Sequence, residues 1–115
     1  MGVLVIRDEQ MRVLRQARLR RFEDEMAAHL TKRFRGTPVV EDGIQLRLFV
    51  QEGIRLAAEH GIVIQYDVRR FLEFSAEYGA DFDTIPWIAK ILSDPTRSPS
   101  GKMDRLDAYS LFVRS

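Results

Sequence analysis

Apolar side chains return along this chain at intervals of three and four, and those intervals predict helices. Met11, Leu19, Phe22, Met26, Leu30 and Phe34 fall on one side of a helix. Asp8 suits its N-cap, Glu9 suits the positive end of the helix dipole, and no Pro or Gly intervenes before Gly36 and Pro38. After the connection TPVVEDG, Leu46, Phe49, Val50, Ile54, Ala57 and Ala58 give a second helix its apolar face, from Ile44 to His60, with Gly61 as C-cap. Gly53 sits inside this helix, where glycine costs about 1 kcal/mol against alanine, so we expect another helix to pass close by. A third helix is expected from an N-cap at Asp67 to Gly79, with Val68, Phe71, Leu72 and Ser75 inward, joined by Tyr78 or Ala76.

The segment ADFDTIPW reads as a turn. Asp83 or Thr84 would cap a fourth helix with Pro86 in its first turn and Trp87, Ile88, Ile91 and Leu92 as its apolar residues. SDPTRSPSG reads as a loop over residues 94–101, and a fifth helix runs from Lys102 to Val113 with Met103, Leu106, Tyr109 and Phe112 at helical spacing. Two stretches break the pattern. Val3–Ile6 is β-branched and apolar, a short strand or an extended lead-in, and Gly61–Gln65 is its candidate pairing partner. The expected fold is mostly α: a single-domain bundle of about five helices over residues 1–115, with a long first helix and room for a short N-terminal strand.

Composition narrows the function classes. With 18 basic against 17 acidic residues, the net charge is +1. A chain that lives on a polyanion usually carries a clear basic excess. Cysteine is absent, which excludes disulfides, thiol catalysis and cysteine-ligated zinc. The N-terminal apolar run is too short for a signal peptide, its first arginine follows that run, and MGVLVI lacks the Ser or Thr of a myristoylation signal. The expectation is a cytoplasmic protein without a membrane span.

Three segments invite a functional reading. FEDEMAAHL places Glu25 and His29 one helical turn apart, as half of a metal or acid–base site would. No facing helix offers a matching set of ligands, and His60 sits at a helix end where the dipole suits it, so we expect no metal and a Glu25–His29 ion pair at the core's edge. RVLRQARLRR spreads its arginines around the helix, and Arg20 and Arg21 each meet a carboxylate four residues on. A solvated helix whose charges offset one another is the first reading, an acidic protein partner the second, and nucleic acid the third. A helix from Asp8 to Arg35 would span roughly 40 Å, so part of it should project past its neighbours unless the third and fifth helices cover it. Its first half sets Arg12, Arg15 and Arg18 around Met11, Val13 and Leu14, a composition common at interfaces with a partner protein or a second copy of the chain.

At the corner EYGADFDTIPW, Tyr78, Phe82 and Trp87 cluster as core plugs or as anchors for a partner, with Trp87 expected beside Phe71 or Phe74. Asp81 and Asp83 do not start a calcium loop, because Pro86 and Leu92 stand where glycine and glutamate would be needed. The candidate protein-binding residues are therefore Met11, Arg12, Leu14, Arg15, Arg18, Phe82 and Trp87. No catalytic residue, metal or cofactor is expected.

Over about residues 6–95 the order of FEDEM and HL, GI, AAEHGI and DV, then DFD, W and IL resembles small bacterial proteins found beside type VI secretion components and their toxic effectors. The tail TRSPSGKMDRLDAYSLFVRS lies outside the resemblance. The resemblance implies a non-catalytic adaptor or chaperone-like accessory that binds an effector, a spike or another adaptor. The alternative is an immunity protein that neutralises a cognate toxin.

Overall fold

A computed structural model describes the backbone of residues 8–114 and the side chains of residues 15–112. Within them the chain forms α1 (Asp8–Arg33), a single turn α2 (Pro38–Glu41), α3 (Gly43–Glu59), α4 (Gln65–Tyr78), α5 (Pro86–Leu92) and α6 (Pro99–Arg114), with a 3-10 turn at Phe82–Thr84. Five of these elements have seven residues or more, and the described residues hold no strand. This is a mostly-α bundle. The strand expected at Val3–Ile6 lies outside the described residues.

The other half of that expected pair, Gly61–Gln65, is a helix end and a helix start. Gly61 takes φ +77°, a backbone that residues with a Cβ avoid. Its N–H bonds the Ala58 carbonyl, and the Ile62 N–H reaches back to Ala57 at 2.9 Å. The paired bonds form a Schellman motif, and the buried Ile62 closes it against the buried Ala57. The apolar run after Gly61 is thus a helix stop and not a β segment.

At the centre lies α4. It contributes Val68, Phe71, Leu72 and Phe74 to the core and packs on α1, α3, α6 and the 3-10 turn. Gly53 of α3 faces it as expected: a Cβ there would strike Leu72 Cδ2 and sit 3.6 Å from Leu72 Cγ. Phe82 is buried, 4.8 Å ring to ring from Phe71 and 6.5 Å from Phe74.

Several boundaries move. Asp67 is not an N-cap. Ile64 is, and Asp67 lies inside the first turn of α4, buried. Ile85, and neither Asp83 nor Thr84, precedes α5, with Pro86 in its first turn. TPVVEDG contains the turn α2, and Asp42 caps α3 by accepting the Ile44 and Gln45 N–H groups. The expected loop over residues 94–101 ends early, because Ser98 Oγ accepts the Gly101 N–H and Pro99 occupies the first position of α6. A polar stretch with two prolines reads as a loop, yet proline is at ease in a first helical turn, where a helix has no N–H to satisfy. Phe112, placed inward by spacing, is 75% exposed.

Candidate protein-binding surface

The first helix is docked along only part of its length. Its described buried side chains begin at Phe22 and continue through Glu23, Met26 and Leu30, while residues 15–21 are all exposed. Leu19 was expected on the buried stripe and is instead 45% exposed. The molecule measures 62 × 38 × 18 Å, with a radius of gyration of 16.4 Å. About 13 Å would suit a compact chain of this length. A half-docked helix of 26 residues accounts for much of that elongation.

Where α1 leaves the body, a groove of about 200 Å³ opens between it, the end of α3 and the start of α4. Leu19, Phe22, Ile54, Ile62, Val63 and Val68 line it. Val63 is 70% exposed, and its neighbours Ile64 and Tyr66 are exposed as well. The Schellman motif sets up this patch: it turns Ile62 inward, and Val63 and Ile64 after it face out. Sequence reasoning missed the groove because Val63 and Ile64 read as a strand.

The candidate residues separate accordingly. Arg15 and Arg18 are exposed on the projecting part of α1, together with Arg20 and Arg21. Met11, Arg12 and Leu14 lie on the same helix, but their side chains fall outside the described residues. Phe82 is core. Trp87 is half-buried, and its ring partners are Tyr78 at 6.0 Å and Tyr109 at 5.1 Å, not Phe71 or Phe74 as expected.

His29 does not form the expected pair with Glu25. Its Nε2 lies 2.8 Å from Glu73 Oε1 on α4, and Arg69 Nη2 lies 3.3 Å from its Nδ1. Glu25 is exposed, and the carboxylate across the helix interface takes the imidazole. Among the described residues no three His, Asp or Glu side chains are gathered as metal ligands would be, and no helix is long and apolar enough to cross a membrane.

The charged residues that are buried hold helices together. Glu23 of α1 accepts from Gln51 of α3 at 3.1 Å. Arg70 of α4, its side chain 12% exposed, reaches Asp67 at 2.7 Å and Asp104 and Asp107 of α6 at 2.9 and 2.6 Å, with the Tyr66 ring 4.9 Å from its guanidinium carbon. Ser100 Oγ donates to the other Asp67 oxygen. Burial pushes the Asp67 carboxyl up, but hydrogen bonds from Ser100 and Arg70 outweigh it and hold the group below its ordinary value. Burial likewise opposes the charge on Arg70, and its three aspartates more than restore it. Arg70 Nε is the one buried side-chain polar atom among the described residues without a partner. This cluster clamps α6 to α4. Compared with known protein families, with curated proteins and with solved structures, the chain matches none.

Proposed function

We propose that the chain is a non-catalytic, cytoplasmic protein-binding accessory, and that the first half of α1 and the groove at its root seat an acidic segment of a partner with an apolar face. One observation carries this reading: an apolar groove with Leu19 and Val63 open to solvent adjoins a projecting helix that holds five arginines and no acid between Gln10 and Arg21. Apolar surface flanked by arginine is an interface composition, and the local positive field would steer an acidic partner. The described buried charges are engaged in joining helices, which supports binding over catalysis. The resemblance of the first four helical segments to type VI secretion accessories supplies the setting, with an effector or toxin as the partner. An immunity role uses the same surface and differs only in the consequence of binding.

The test is co-expression of the tagged chain with the products of its neighbouring genes. One product should co-purify with it, and Arg12→Glu, Arg15→Glu and Arg18→Glu together should abolish the complex while helicity and melting stay nearly unchanged. Leu19→Asp should do the same through the groove. Rescue of growth from that product marks an immunity protein; a change in its solubility or export marks an adaptor. Binding that survives the triple reversal at physiological salt, with the fold intact, would refute this surface.

A further inference from the structure

A second site lies between α5 and α6. Here the side chains form a cleft of about 270 Å³. Trp87 and Ile91 of α5 and Tyr109 of α6 make its apolar wall, each half-buried. The Trp87 and Tyr109 rings are tilted by 31° to one another with centroids 5.1 Å apart. Around this wall stand three cations, Lys90, Arg97 and Arg105, all exposed, and one carboxylate, that of Asp94. Arg97 is partly offset by Asp94 at 3.3 Å, while no described carboxylate pairs with Lys90 or Arg105. The Arg105 guanidinium carbon lies 5.6 Å from the Tyr109 ring centre, a cation–π arrangement that leaves its N–H groups free to face a ligand.

The setting sharpens the contrast. From Gly36 to Ser115 the chain has nine basic and twelve acidic residues, so the body carries a net charge of −3. Three of those nine bases meet at this one cleft. The other ion-paired arginines of the body, Arg47, Arg55, Arg69 and Arg70, are bound to carboxylates of their own.

We infer that the Trp87–Tyr109 cleft binds an acidic peptide segment, with one aromatic or branched apolar side chain against the aromatic wall and flanking carboxylates on Lys90, Arg97 and Arg105. Size favours a single anchoring side chain, since pockets for whole small ligands run from about 300 to 1,000 Å³. Donor type favours carboxylates over a phosphate cradle. Phosphate sites draw on free backbone N–H groups. Here the Gly101 and Lys102 N–H groups at the start of α6 are already bonded to Ser98, and the Thr96 N–H to Asp94. The donors that line the cleft are side-chain cations beside aromatic rings, the pairing that dominates protein-interface anchors.

Trp87 is the sole tryptophan, so its fluorescence reports on this cleft and not on the α1 groove. The probe is a five-residue peptide with two acidic residues on either side of a phenylalanine, titrated into the full chain, with a lysine-for-acid peptide as control. We expect a saturable change in Trp87 emission with the acidic peptide only, weakening as salt rises. Lys90→Glu with Arg105→Glu should weaken binding about tenfold or more, Lys90→Gln with Arg105→Gln by less, and both should keep the helical circular dichroism. Arg15→Glu with Arg18→Glu should leave the titration unchanged, which separates this site from the surface proposed above. An equal response to the lysine peptide, an affinity unmoved by the double reversal, or no saturation up to about 1 mM would overturn the inference. Full displacement of the peptide by inorganic phosphate at equal concentration would also overturn it, in favour of a simple anion pocket.

Discussion

Replacing Gly53 by alanine tests the packing at the centre of the bundle. In an unhindered helix the change should stabilise by about 1 kcal/mol, because glycine is a poor helix former. Here the new methyl would collide with Leu72 Cδ2, and Leu72 is fully buried. Leu72 must then leave its rotamer or push α4 away, and such overpacking typically costs about 1–3 kcal/mol. The two terms oppose, and the net expectation is a loss of roughly 1 kcal/mol. Leu72→Ala alone should cost about 2–5 kcal/mol, as truncations of buried leucine do. The double variant decides the matter. With Leu72 shortened, the methyl at position 53 has room, recovers its helical preference and fills part of the void. The two changes should therefore combine to less than their sum, with a favourable coupling of about 1–3 kcal/mol. Urea unfolding of the four proteins, followed by Trp87 fluorescence and by helical circular dichroism, closes the cycle. Additivity within about 0.5 kcal/mol, or a Gly53→Ala protein that is simply more stable, would show that α3 and α4 do not meet at this point.

Two further outcomes follow from the buried groups. The Asp67 carboxyl is held below its ordinary value of 3.8, so its stabilisation should be fully present above that pH and lost as pH falls through the lower folded-state value. Asp67→Asn should lower stability at neutral pH by about 2 kcal/mol, less than for a lone buried pair because Arg70 keeps two other aspartates, and should flatten the decline below about pH 4; urea midpoints at pH 7 and pH 3 measure both. Phe82→Ala should cost about 3–5 kcal/mol, the range for a buried aromatic, whereas the half-buried Trp87→Ala should cost clearly less; equal losses in helical-signal melts would show that Trp87 is core.

The helices were legible because their signals are local. Apolar spacing and the stops at Gly36, Gly61 and Gly79 describe a segment without reference to its neighbours. Side-chain partners were not legible for the opposite reason. Glu25 stands at the right spacing for His29, yet Glu73, 44 positions away, takes the imidazole. Asp67 has the chemistry of an N-cap, but its fate is decided by Arg70 and by Ser100 of a helix whose start was read as loop. Val63 and Ile64 carry β-branched side chains, and the backbone bonds after Gly61 leave both facing outward, Val63 at the rim of the groove. In the candidate surface the arginines could be seen in the sequence. The apolar groove beside them, and the cleft that gathers Lys90, Arg97 and Arg105, could not.

The clamp around Arg70 also bears on the order in which the chain assembles. Helices α3 and α4 are joined by a short capped turn and can meet early, since closing a short loop costs little entropy. By contrast, Asp107 reaches Arg70 across 37 positions, and His29 reaches Glu73 across 44. Such distant pairings form after the local ones have organised a surface to receive them. We therefore expect the docking of the first and last helices on α4 to come late, after α1 has met α3 and α5 has met α6 across their own short connections. Loosening either attachment would leave the speed of folding nearly untouched and shorten the lifetime of the folded state.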